Sequence, residues 1–174
     1  MGLFSRKKIL KLYLNGEITS NESKFNTGTS VAKLKNTLLE VKQTNSAKYQ
    51  GILLKINSPG GAAATSEELA RLIFSLRQDV PVVTSIGDSA CSGGYMVAAA
   101  SNYIFANTMS WTGSIGVIML LPNYQELSKK LGVSVKTIKA GKMKDLGNPF
   151  REMSPDEENY LETLVKSAHA EFID

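Results

Sequence analysis

Apolar positions along this chain switch between two periods. From Lys8, "KILKLYLNGEI" alternates apolar and polar residues, which predicts a strand ended by the Asn15-Gly16 turn. Val31, Leu34, Leu38 and Val41 then recur at helical spacing. "GILLKIN", residues 51–57, is nearly continuous in apolar residues, a pattern expected of a strand buried on both faces, and it stops at "SPGG". Thr65 and Glu68 form a capping-box pattern ahead of Leu69, Leu72, Ile73 and Leu76, which share one helical face.

The cycle then repeats. "VPVVTSI", residues 80–86, predicts a strand, "CSGG" follows, and residues 95–100 continue as a helix of small residues. "YIFA", "SIGVIML" and "SVKTIK" read as further strands, with a helix over residues 123–131 ended by Gly132. Ser154, Pro155 and Glu157 supply the cap, first-turn proline and capping-box partner of a last helix, whose buried side is expected to carry Leu161, Leu164, Val165, Ala168 and Phe172. Alternating strands and helices imply right-handed βαβ crossovers, so the expected class is α/β with a mostly parallel sheet covered by helices. No linker or repeat interrupts the pattern, and residues 1–174 read as one domain.

Composition narrows the function. No apolar run approaches the roughly 20 residues of a membrane-spanning helix, and the start is too short in apolar residues for a secretory signal. A cytoplasmic protein is therefore expected, with the Arg6-Lys7-Lys8 cluster offering at most a weak peripheral attraction to an anionic membrane face. Position 6 is Arg where a myristoylation signal beginning at Gly2 needs Ser or Thr. The net charge of +4 is scattered and not interleaved with aromatic residues, so nucleic acid is not expected as a partner. A single cysteine, Cys91, excludes an internal disulfide, and with a single histidine, His169, it makes a zinc site improbable; no metal or other cofactor is expected.

The chemistry concentrates where ligands gather on such sheets, beyond the carboxyl ends of the strands. "SPGG" and "CSGG" both fall at strand-to-helix junctions. Ser92 there has two readings. It caps a helix whose glycines allow close packing, or it is a nucleophile with the Gly93 amide and a second amide, from Gly60 or Gly61, forming an oxyanion hole. The segment is not a G-x-S-x-G elbow, because Ala90 stands two places before Ser92. A nucleophilic serine needs a base. His169 lies beside the apolar face of the last helix and reads as a rim residue, which leaves lysine, effective only where apolar surroundings keep the amine neutral. "KAGKMKDLGNPFREMS", residues 139–154, places Lys139, Lys142 and Lys144 in one loop, and spacing does not choose among them. Cys91 reads as a small packing residue with no base placed for it.

Taken in order, "INSPGG", "GDSACSGGYMVAAA", "TGSIGVI" and "AGKMKDLGNPFREMS" resemble the signal peptide peptidase A family, serine peptidases of the Ser-Lys type. The resemblance runs from about Lys8 to the end and is densest between Ile52 and Met153. It implies the crotonase-like fold shared with caseinolytic protease subunits and enoyl-CoA hydratases. Carried onto this chain, it implies Ser92 as nucleophile, Lys144 as general base, Gly61 and Gly93 as oxyanion donors, and Ser114 as the hydroxyl that holds the base lysine. The implied reaction passes through an acyl-enzyme on Ser92, and the implied substrates are extended hydrophobic peptides such as remnant signal peptides. The implied assembly is a homo-oligomeric ring in which neighbouring subunits complete the groove.

The family often begins with a membrane anchor and continues past the last helix, so the chain reads as a short form, and Cys91 stands where the family usually has alanine. An alternative within the same fold is a non-catalytic peptide-binding or assembly subunit. Acyl-CoA chemistry ranks behind both, because Tyr95 and Met96 stand where a glutamate base would be needed.

Overall fold

A computed structural model of the protein describes residues 8–19, 31–44 and 48–173. Gly2, Arg6 and Lys7, named above, lie outside the described residues. The chain divides into two compact units, Met1–Ile115 and Gly116–Asp174.

In the first unit the predicted alternation is realised. Strand β1 (Lys8–Asn15) ends at Gly16, whose φ of 78° makes the turn, and helix α1 (Val31–Thr44) buries Leu34, Leu38 and Val41. Strand β2 (Tyr49–Ser58), helix α2 (Ala63–Leu76), strand β3 (Val82–Cys91) and helix α3 (Gly93–Ala99) follow, then the short strands β4 (Tyr103–Phe105) and β5 (Trp111–Gly113). Among the described residues all strand pairings are parallel. The order is β1-β2-β3-β4, and β5 also pairs with β3. This is the α/β architecture expected from the alternation, a parallel sheet with helices packed on it.

Three expectations are corrected in this unit. First, β2 is not buried on both faces. Ile52, Leu54, Ile56 and Ser58 are buried, while Leu53, Lys55 and Asn57 alternate with them toward a more open face. Tyr13 in β1 and Ser85 in β3 follow the same rule, so the polar members of each strand decide the face. The buried face packs with Leu34, Leu38, Leu69, Ile73, Leu76, Val97 and Ala98 of the helices into one core. At about 1.5–3 kcal/mol per large aliphatic side chain, that face holds the unit together.

Second, Thr65 and Glu68 do not cap α2. The helix begins at Ala63 behind Ala62, with no side-chain cap bond, because the Ala62 N–H is already held by the carbonyl of Ile18 at 2.7 Å. Third, "SIGVIML" is not a strand. The strand falls just before it, and Gly113 (φ 86°) and Ser114 (φ 54°) turn the chain off the ladder.

The second unit contains helices α4 (Gln125–Lys130) and α5 (Pro155–Ile173) and, among the described residues, no strand. "SVKTIK" therefore does not form the predicted strand. Apolar alternation states which side chains seek burial, but a strand also needs a ladder partner, and Ile118, Leu120 and Ile138 remain largely exposed. The α5 stripe is likewise only partly covered. Leu161, Val165, Ala168 and Phe172 are half-buried, Leu164 is exposed, and the buried residue of the helix is Glu157. Among the described residues, no helix is long and apolar enough to cross a membrane.

Candidate active site

The parallel register brings the carboxyl ends of β1, β2, β3 and β5 to one side of the first unit. There β3 bends: the step from Ile56 to Ser58 on β2 is matched by the longer step from Ile86 to Ala90 on β3. Asn57 holds the bulge. Its Nδ2 donates to Asp88 at 2.9 Å and its Oδ1 accepts from the Ser89 N–H at 3.0 Å. Beyond the bulge β3 pairs with β5 and delivers Ser92 between two backbone partners. The Ser92 N–H donates to the Gly113 carbonyl at 2.8 Å, and the Ser92 carbonyl accepts from Tyr95 and Met96 at the start of α3.

Ser92 has φ 50° and ψ −125°, a left-handed backbone that costs a non-glycine residue about 1–3 kcal/mol and persists only where its surroundings impose it. It makes no side-chain cap bond to α3, so the capping reading fails. The turn is a strained strand-to-helix corner, reached without the first glycine of the elbow motif. The "SPGG" loop is pressed against it. Gly60 has φ 104°, and a methyl group placed there would stand 2.8 Å from both the Ser92 Cβ and the Cys91 carbonyl oxygen. Gly61 bridges in parallel to Ile18, and a methyl on it would lie 2.1 Å from the Ile18 carbonyl oxygen.

The glycines after Ser92 are there for packing. A methyl on Gly93 would meet the Oγ of buried Ser66 at 2.1 Å, and one on Gly94 would meet the Ser58 carbonyl oxygen at 2.9 Å. The same methyl on Gly93 would be 3.6 Å from the Gly61 nitrogen, so the two candidate oxyanion donors are neighbours. The Gly93 N–H opens a helix, where amides have no intrahelical acceptor. Ser114 directly follows Gly113, whose carbonyl holds Ser92, and it too has a positive φ. Within the first unit the structure thus brings together Ser92, Gly61, Gly93 and Ser114. Ser92 is half-buried and Ser114 is exposed. Cys91 is a free thiol whose Sγ contacts the Trp111 carbonyl at 3.6 Å.

Lys144 belongs to the second unit, in a run of turns. Of the three lysines in its loop, Lys139 pairs with Asp145 and Lys142 with Asp156 at 2.7 Å. Among the described residues no carboxylate pairs with Lys144, whose side chain is exposed. Its backbone is fixed by its neighbours: the Lys144 N–H donates to Gly141, Lys139 Nζ donates to the Lys142 carbonyl, and Asn148 N–H donates to the Asp145 carbonyl. Arg151 links this loop to α5. Hydrogen bonds from Arg151 and then Lys139 hold the Asp145 carboxyl well below the usual carboxylate range. Glu157 is brought down from 4.5 to about 2, first by Arg151 and then by the Ser154 backbone N–H. The predicted Ser154–Glu157 capping box is present: Glu157 Oε2 accepts from the Ser154 N–H at 2.9 Å, and the Glu157 N–H faces Ser154 Oγ at 3.4 Å. His169 is half-buried on α5.

Sequence reasoning missed Ile18, Ser58, Ser66 and Arg151. Ser58 and Ser66 are polar residues in apolar stripes, a signal that was present in the spacing. Ile18 and Arg151 act through backbone and ion-pair contacts that spacing does not encode.

Residues 75–174 match the model of the family described as peptidase family S49. A protein of Methanocaldococcus jannaschii provisionally named a protease is 41% identical over 98% of this chain and 56% of its own length. The chloroplastic serine protease SPPA of Arabidopsis thaliana is 38% identical over 74% of this chain and 19% of its own. The chain therefore spans about half the length of the archaeal relative and much less of the plant one. Among solved structures, a 1510-N membrane protease specific for a stomatin homolog from Pyrococcus horikoshii aligns at TM-score 0.48 with 19% identity, covering 73% of this chain and 59% of that one. The family match spans more than half of the chain and contains both Ser92 and Lys144; the protein belongs to peptidase family S49, a family of serine-type peptidases.

Proposed function

We propose that the protein is a Ser-Lys endopeptidase that cuts extended hydrophobic peptides, remnant signal peptides among them. The observation that carries this reading is the corner at Ser92, a strained serine with the Gly61 and Gly93 backbones beside it. In the reaction, neutral Lys144 takes the proton of Ser92 Oγ as that oxygen attacks the scissile carbonyl carbon. The N–H groups of Gly61 and Gly93 stabilise the oxyanion. The tetrahedral intermediate collapses by breaking the C–N bond, and the Lys144 ammonium returns its proton to the leaving amine. Water, deprotonated by Lys144, then hydrolyses the Ser92 ester and restores both groups. Ser114 accepts a hydrogen bond from Lys144 and orients it.

A lysine stays neutral only when water is excluded. The exposure of Lys144 in the single chain fits an active state in which bound peptide and a neighbouring copy in a ring supply that exclusion, on the cytoplasmic side with at most peripheral membrane contact. The same exposure favours a second reading, a peptide-binding subunit that does not turn over. Ser92→Ala and Lys144→Ala separate them: each abolishes peptide cleavage without unfolding the protein, and full activity in either contradicts the dyad.

A further inference from the structure

Arg151 spends its whole hydrogen-bonding capacity on the Lys144 loop and the start of α5. Its Nε donates to Asp145 Oδ2 at 2.8 Å and its Nη2 to the Asp145 carbonyl at 3.1 Å. Nη1 donates to the Glu152 carbonyl at 2.9 Å and to Glu157 Oε2 at 2.8 Å, and Nη2 also donates to Glu157 Oε1 at 2.5 Å. A guanidinium has five N–H donors, and these contacts use all of them. Both carboxylates are largely removed from water, with side-chain exposures of 11% for Asp145 and 5% for Glu157. Glu157 is in turn locked by the Ser154 capping box. The residue that follows Lys144 is therefore fastened, through side chain and backbone alike, to the first turn of a long helix.

We propose that Arg151 is a positioning residue that fixes the approach of Lys144 by holding Asp145 against the α5 N-terminus. The inference rests on the reading of Lys144 as the general base. The fork geometry is what the role requires. A lysine at 151 carries three donors on one point and cannot serve two carboxylates and two carbonyls together. Lys139 also reaches Asp145 and the Lys142 carbonyl, but it ties the loop to itself and not to α5.

The test compares full-length wild type, Arg151→Lys, Arg151→Met, Asp145→Asn and Lys144→Ala. Peptidase kcat and KM are measured across pH, with amide hydrogen exchange over residues 141–150 and a thermal unfolding midpoint. Arg151→Lys is expected to stay folded, exchange faster in that segment, and lose kcat by about tenfold or more with KM within about twofold. A loss confined to kcat in a folded protein is a change that a merely structural arginine would not cause. If Arg151→Met does not fold, Arg151→Lys and Asp145→Asn carry the same readouts. Unchanged kcat and unchanged exchange over residues 141–150 in the Arg151 variants, with Lys144→Ala inactive, overturn the inference and leave the dyad standing. An active Lys144→Ala overturns the dyad and the inference with it.

Discussion

At Ser92 the backbone is bent into a conformation that serine tolerates poorly, and neighbours without side chains make that bend possible. Gly93 sits against Ser66 and Gly94 against Ser58, where a methyl would collide with a hydroxyl and with a backbone carbonyl. Gly93→Ala is therefore expected to destabilise the protein by about 1–3 kcal/mol, seen as a lower urea midpoint. Gly116→Ala is the control. No atom lies within 4 Å of a methyl at that position and its φ is not positive, so a change within about 0.5 kcal/mol is expected. A large loss at Gly116 or none at Gly93 would contradict the packing account. The residue scale is also where the sequence was least complete. "CSGG" marked the place, but packing and oxyanion roles for the glycines looked like alternatives. The structure shows the packing role directly, and the oxyanion role belongs to the proposed mechanism.

Elements were legible where their signals are local. The Ser154-Pro155-Glu157 start of α5 was read from three residues, since a capping box is closed by atoms within one turn. Thr65 and Glu68 showed the same pattern and failed, because Ile18, distant in sequence, took the Ala62 amide and moved the helix start back. "SVKTIK" failed for a related reason: its alternation is local but a ladder partner is not. The α5 start also makes a pH prediction. Glu157 is held at about 2 against 4.5, so its ionised form stabilises the folded state fully above pH 4.5. That contribution is lost as pH falls from 4.5 through about 2. The Glu157 carboxyl carbon, followed by NMR, is expected to titrate near 2 in wild type and to move upward in Arg151→Met. A midpoint near 4.5 in wild type would contradict the ion-pair geometry. Ser154→Ala should cost about 1 kcal/mol by the same cap argument, read as a lower unfolding midpoint.

On the scale of the molecule, the alternation of strands and helices announced a parallel sheet. Within the first unit Lys55, Tyr13 and Ser85 mark the less buried face of that sheet. Large apolar side chains also remain uncovered: Phe105 and Trp111 in the first unit, Ile118 and Ile138 in the second. Exposed apolar surface of this kind is a mark of association. We expect the protein to have an oligomeric mass by light scattering, and Trp111→Ser to lower it. A monomer at micromolar concentration would contradict the ring proposed for the active state.

The central claim is that Lys144 activates Ser92, and covalent labelling by a serine-directed peptidyl phosphonate tests it most directly. The assembled wild-type protein is expected to be labelled at Ser92, more slowly as pH falls and Lys144 becomes charged, while folded Lys144→Ala is labelled far more slowly at every pH. Labelling of Lys144→Ala at the wild-type rate, or no label on Ser92 in the folded, assembled protein, would contradict the account.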